Sequence, residues 1–142
     1  MSKIKIFTDG AARGNPGPAA CGAIFYDERG EILDGFSKKL GNATNNQAEY
    51  WAIICALEIV EKKYLGSEIE IYMDSQLACE QLRGNYKIKN EGLGKLLIKV
   101  KNLETKIGKI IYNYIPREKN KNADRLVNGV LDGKINGTIE TI

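Results

Sequence analysis

The sequence predicts an α/β fold: one mixed five-stranded sheet, with three antiparallel strands, two further parallel strands and helices on both faces. Two features of the segment order predict it. Three strand-like segments come first, joined by short turns, which makes them antiparallel neighbours. Two more strand-like segments follow, each reached through helical sequence, so they should run parallel to the first through right-handed crossovers. A chain of 142 residues is near the usual size of one domain and can bury a real core. No internal repeat, linker or low-complexity run interrupts it. Residues 1–142 therefore read as a single domain, with a core over about 3–131 and a tail over 132–142.

Residues 3–8 alternate Lys-Ile-Lys-Ile and read as a strand ending at Asp9. Residues 10–18 (GAARGNPGP) form a Gly/Pro-rich loop. Residues 21–27 and 32–38 are strand-like, and Glu28-Arg29-Gly30 between them signals a hairpin turn. Thr44 and Gln47 have the spacing of a capping box, opening a helical run over 48–63 that ends at Gly66. Residues 68–73 alternate again, a strand ending at Asp74. Residues 75–83 form a short helix that Gly84 can stop. Residues 91–105 carry Leu93, Leu96, Leu97, Val100 and Leu103 at a helical period. Residues 109–115 form a strand closed by Pro116, and 120–131 read as the last helix. The polar stretch 132–142 takes no clear assignment.

The composition, 43% hydrophobic and 27% charged, is an ordinary globular mixture. No apolar run approaches the ~18–20 residues that a transmembrane helix needs. The N-terminus passes from Met1-Ser2-Lys3 into Ile4-Lys5-Ile6-Phe7 without a secretory pattern, so a cytoplasmic location off the membrane is expected. Cys21, Cys55 and Cys79 form no closely spaced metal motif. Buried thiols in a reducing compartment are the favoured reading, and a disulfide between two of them is not signalled. A net charge of +3 is compatible with a polyanionic partner. Histidine is absent, which excludes His-based triads, His metal ligands and His acid–base catalysis.

Four acids stand where chemistry is expected. Asp9 and Asp74 follow strands, at the edge of a parallel sheet where ligands bind. Glu49 sits in the first turn of the long helix, and Asp124 lies near the start of the last one. Taken singly, each has a plainer reading: a turn residue, a helix cap, or a favourable charge at a helix N-terminus. Gathered at one place, four carboxylates would repel, each raising its neighbours' pKa, unless divalent metal neutralised them. All-oxygen ligands favour Mg²⁺ or Mn²⁺.

Four segments in order resemble the ribonuclease H type 1 pattern: residues 8–18 (TDGAARGNPGP), 44–49 (TNNQAE), 74–76 (DSQ) and 120–124 (NKNAD). The resemblance spans roughly residues 3–131 and implies the ribonuclease H-like fold and hydrolysis of the RNA strand of RNA–DNA hybrids. It also implies two metal ions about 4 Å apart and in-line attack of water on a phosphodiester. Carried over by position, Asp9 would be shared by both metals, which are expected to be Mg²⁺ with Mn²⁺ as a substitute. Glu49 and Asp74 would help hold the leaving-group metal, and Asp124 the metal beside the nucleophilic water. The products would carry 5′-phosphate and 3′-hydroxyl ends. Gly10, Ala12, Asn15, Asn45, Asn46 and Gln76 match elements that bind 2′-hydroxyls and minor-groove base edges; their plainer reading is turn and cap chemistry. Thr44 and Asn120 match phosphate contacts, and either could simply cap its helix.

The sequence departs from many relatives in three ways. The loop Pro116-Arg117-Glu118-Lys119 is short and has no histidine, leaving Arg117 as the candidate for steadying the scissile phosphate or the departing product. Residues 85–90 lead almost directly into the next helix, so the basic protrusion that grips DNA is missing. Grip would then fall to scattered lysines such as Lys87, Lys89 and Lys95, whose plainer reading is solvated charge. No separate hybrid-binding domain is expected, and the working state is expected to be a monomer. Two other functions stay open: a DNA nuclease or strand transferase on a related fold, and a non-catalytic hybrid- or RNA-binding module.

Overall fold

The computed structural model describes residues 2–135 and 138–140. In chain order the elements are β1 (Lys3–Ala12), β2 (Gly17–Tyr26), β3 (Ile32–Ala43), α1 (Asn45–Lys63), β4 (Glu68–Met73) and α2 (Gln76–Arg83). There follow α3 (Glu91–Ile107), β5 (Ile110–Tyr114), a 3₁₀ turn (Arg117–Lys119), α4 (Lys121–Leu131) and β6 (Thr138–Glu140). The sheet order is β5-β4-β1-β2-β3-β6. β1, β2 and β3 are antiparallel neighbours, and β4 and β5 add on in parallel, as expected. The sixth strand was not foreseen: it pairs in parallel with Lys38–Leu40 from within the stretch that shows no periodicity of its own.

The first hairpin is longer than its sequence suggests. β1 does not end at Asp9 but pairs with β2 as far as Ala12↔Ala19, so the loop shrinks to residues 13–16. Small residues such as Ala11, Ala12, Ala19 and Ala20 pair without crowding, and the backbone ladder needs no apolar alternation to continue. The second turn follows the expected chemistry, with Asp27 Oδ1 accepting the Arg29 and Glu31 amides and Gly30 at φ +82.

Even-numbered residues of β1 and odd-numbered residues of β2 face α1, building a core around Ile6, Phe25, Tyr50, Ile53, Leu57, Ile71 and Met73. Fully burying each such side chain contributes ~1.5–3 kcal/mol. The Tyr50 hydroxyl keeps a partner there, donating to Gln81 Oε1 at 2.7 Å. α3 lies beside α1 and presents Leu93, Leu96 and Val100 to the core. α4 packs on the opposite face, where Val127 and Val130 cover Ala20. All three cysteines are buried.

Both capping expectations are met. Thr44 Oγ1 accepts the Gln47 amide at 3.1 Å, while Gln47 Oε1 accepts the Thr44 amide at 2.9 Å. The cap draws residues 45–47 into the helix, so Glu49 stands one turn in rather than in the first turn. At the other end of the chain's short helix, Gly84 adopts φ +85 and closes α2.

Candidate active site

Strand register brings Asp9 and Asp74 together. β1 and β4 pair in parallel as far as Phe7↔Tyr72, and each Asp lies two residues beyond that pair. β4 stops at Met73 while β1 continues with β2 alone, so the two carboxylates sit where the parallel partner ends. Ser75, not Asp74, caps α2 by accepting the Ala78 amide at 3.1 Å.

Glu49 arrives from α1. A Cβ on Gly10 would overlap the Ala48 backbone, so glycine here is what lets the helix rest against β1. One oxygen each from Asp9, Glu49 and Asp74 lie within 4.8 Å of one another. Asp124, in the first turn of α4, comes within hydrogen-bonding reach of the Asp9 carboxyl. All four acids line one open cleft of about 560 Å³.

The electrostatics are those of a charge cluster short of cations. Burial pushes the Asp9 carboxyl up to about 8, and the Asp74 and Asp124 carboxylates add to the rise. Glu49 is pushed well above the usual carboxylate range, first by burial and then by Asp9 and Asp74. The Gly10 amide favours the charged form of both and offsets only part of this. Glu49 Oε2 is buried with no hydrogen-bond partner. A cluster of oxygens with one orphaned atom and no nitrogen or sulfur donor fits a hard divalent cation.

Asn120, expected as a phosphate contact or a helix cap, occupies the N-cap position of α4 with its side chain turned to another task. It is 1% exposed and makes no side-chain cap bond. Its Nδ2 donates to the Thr8 carbonyl at 2.9 Å and to Asp74 Oδ2 at 3.0 Å, so it braces the cluster from inside. Arg117 lines the cleft from the 3₁₀ turn, and so do Gly10, Ala12, Asn45 and Asn46. Asn45 ties the hairpin loop to the helix: its Oδ1 accepts the Ala12 amide at 2.8 Å, and its own amide donates to Asn15 Oδ1 at 3.0 Å. Asn15, Thr44, Asn45 and Asn46 also line an adjoining polar groove of about 420 Å³. Gln76 is exposed at the start of α2, outside both, and Lys87, Lys89 and Lys95 are exposed as well.

Sequence reasoning passed over three residues. Asn128 faces the cleft one turn after Asp124, a spacing that the helical period of α4 could have flagged. Arg13 donates to Asn128 Oδ1 at 3.1 Å and pairs with Asp132 at 2.8 Å, fastening the loop to the end of α4. Asn90 caps α3 through the Leu93 amide and lines the polar groove; its only sequence signal is that of a cap.

A family described as reverse transcriptase-like matches residues 7–130. A ribonuclease HI of Halobacterium salinarum is 38% identical over 130 residues, 92% of this chain and 65% of the relative. A bifunctional protein of Mycobacterium tuberculosis is 39% identical over 132 residues, 92% of this chain but 36% of its own length. The chain thus spans about a third of the length of that curated relative. Among solved structures, an LC11 RNase H1 in complex with RNA/DNA hybrid is 42% identical, with a TM-score of 0.88 over 92% of this chain and 98% of that one. RNase H1 from Halobacterium salinarum is 37% identical, with a TM-score of 0.87 over 92% and 98%.

Proposed function

The chain belongs to the ribonuclease H type 1 family, and we propose that it hydrolyses the RNA strand of RNA–DNA hybrids with two Mg²⁺ ions, leaving 5′-phosphate and 3′-hydroxyl ends. One observation carries this reading: carboxylates from four separated segments meet in one cleft of a chain that has no histidine. Asp9, Glu49, Asp74 and Asp124 would hold the ions, with Mn²⁺ an acceptable substitute. When bound, the ions neutralise the cluster and supply Lewis-acid polarisation of phosphate and water.

The chain's own groups do the rest. Asn120 fixes the Asp74 carboxylate, whose charge would otherwise be free to swing. Arg117 stands in the cleft, where its guanidinium can meet a phosphate oxygen. The Asn15 and Asn45 oxygens are committed to the loop, leaving their NH₂ groups as donors for a ligand. With Gly10, Ala12, Thr44 and Asn46 of the cleft and groove they would read 2′-hydroxyls and backbone, the feature that separates RNA from DNA. Gln76, exposed outside both at the start of α2, would extend that surface. Lys87, Lys89 and Lys95 add a diffuse attraction for phosphate. No helix among the described residues is long and apolar enough to cross a membrane, and a cytoplasmic monomer is the proposed working state.

Labelled hybrid, duplex DNA and duplex RNA, each with and without Mg²⁺, test the reading. Metal-dependent cleavage of only the RNA strand of the hybrid is expected. Cleavage of a DNA strand, or hybrid binding without cleavage in either Mg²⁺ or Mn²⁺, would overturn it.

A further inference from the structure

A second groove, also of about 560 Å³, lies on the α4 face of the sheet and is floored in part by Phe7 and Tyr26. Phe7 stacks on Tyr72 at 4.8 Å and meets Tyr26 edge-on at 5.5 Å. Four cations line the groove: Lys5, Arg29, Lys119 and Lys121. Lys5 sits 6.0 Å from the Tyr72 ring, and Arg29, Lys119 and Lys121 have no ion-pair partner among the described residues. Three acids line it too, but two are already engaged. Asp27 accepts the amides of its own turn, and Glu28 accepts the Lys3 amide at 3.0 Å. Accepting uncharged amides orients these two carboxylates without neutralising them, so four cations face three acids and the groove keeps a net charge of +1.

The groove adjoins the candidate active site across one short turn. Arg117 of the 3₁₀ turn lines the cleft, while Glu118 and Lys119 line the groove, so that turn is the wall between them. Lys5 and Phe7 precede Asp9 on β1 and share its face, since side chains alternate along a strand. At ~3.3 Å per residue they lie ~7–13 Å from Asp9, a distance spanned by about two to four stacked nucleotides. Duplex bases are already stacked on one another and cannot use an aromatic floor, whereas unpaired bases can.

We propose that this groove binds an unpaired stretch of the same RNA strand that is cut in the cleft, stacking its bases on Tyr26 and Phe7 and holding its phosphates with Lys119, Lys121 and Arg29. This rests on the ribonuclease reading above. It makes the protein act preferentially where a hybrid borders single-stranded RNA.

The test compares three hybrids with the same paired region: one blunt, and two whose RNA extends unpaired by about six nucleotides at one end or the other. For the wild type, an extension at one end should lower KM by about 5- to 10-fold with kcat unchanged. The Lys119→Ser/Lys121→Ser double variant should lose that advantage and leave the blunt substrate untouched. Its slope of log affinity against log salt for the extended hybrid should fall by about 1.4, or ~0.7 per phosphate contact. Tyr26→Leu should lose part of the advantage without altering the salt slope. Equal KM values for blunt and extended hybrids, or variants that weaken both alike, would overturn the proposal. If the wild type failed to cut even the blunt hybrid, the ribonuclease reading itself would fall. Anisotropy with an unpaired oligoribonucleotide would then decide the groove: equal binding by wild type and double variant refutes it, and loss in the variant supports it.

Discussion

Asn120 joins two segments that lie 112 and 46 residues before it, donating to the Thr8 carbonyl and to the Asp74 carboxylate. Asn120→Ala removes both bonds inside the protein. It should cost ~1–3 kcal/mol in thermal or urea unfolding. On hybrid, kcat should fall about 10- to 100-fold with little change in KM, because the loss is of alignment and not of ground-state contact. Asp9→Asn should do far more, lowering turnover by several orders of magnitude while hybrid still binds in Ca²⁺; near-normal turnover would remove Asp9 from the mechanism. Arg117→Ala should cost about 10- to 100-fold, the scale of one charged contact worth ~1.4–3 kcal/mol. Wild-type turnover of that variant on saturating hybrid would leave Arg117 a surface charge. The acids were legible in the sequence because four segments in order resemble one family pattern; local signals placed them only approximately, since β1 runs past Asp9 to Ala12 and Glu49 stands one turn into α1. The role of Asn120 was not, since it depends on a register set more than a hundred residues away.

The contact between β1 and α1 is set by the lack of a side chain at Gly10. Gly10→Ala would force a methyl into the Ala48 backbone, and a backbone neighbour cannot rotate aside as a side chain can. We expect a loss of ~1–3 kcal/mol in the folding free energy and a lower Tm. The same variant should lose activity beyond what its stability explains, because Glu49 moves with the helix; unchanged turnover below its Tm would show that the helix can give. Element limits were readable where side chains declare them: Glu68–Met73 alternates cleanly, and the Thr44–Gln47 box opens α1. They were not readable where backbone pairing alone decides. Residues 10–12 and 17–20 look like loop, yet the ladder of the first hairpin runs through them. The strand Thr138–Glu140 likewise owes its pairing to the edge of β3 rather than to its own pattern.

Across the whole molecule, the site should set the pH dependence of stability. In the metal-free protein Asp9, at about 8, and Glu49 hold protons that the unfolded chain releases near pH 4. The folded state thus binds more protons between those values, and stability falls as pH rises from about 5 to 8. Asp34, Glu70, Glu80 and Asp132 are shifted down and contribute stability that is lost only below that window. Thermal scans without metal should show Tm dropping from pH 5 to 8, and Asp9→Asn should flatten the drop. Mg²⁺ at ~100 times its dissociation constant should add about 2.7 kcal/mol if the unfolded chain does not bind it. The same Mg²⁺ response in wild type and Asp74→Asn would count against a shared metal site.

The loop between β1 and β2 is fastened at both ends of its reach, by Asn15 and Asn45 on one side and by Arg13 with Asn128 and Asp132 on the other. A loop left loose here would have to surrender its conformational freedom each time a ligand arrived, and that loss would be charged against affinity. Here the ordering is completed when the protein folds. Association should therefore resemble the docking of two rigid bodies, with a modest entropic penalty and a rate governed by encounter and not by loop closure. Release should be correspondingly quick to begin, since no lid formed by this loop has to open. Calorimetry on Asn45→Ala would expose the arrangement: enthalpy retained from the remaining contacts, with a new entropic cost equal to the freedom the loop regains when unbound.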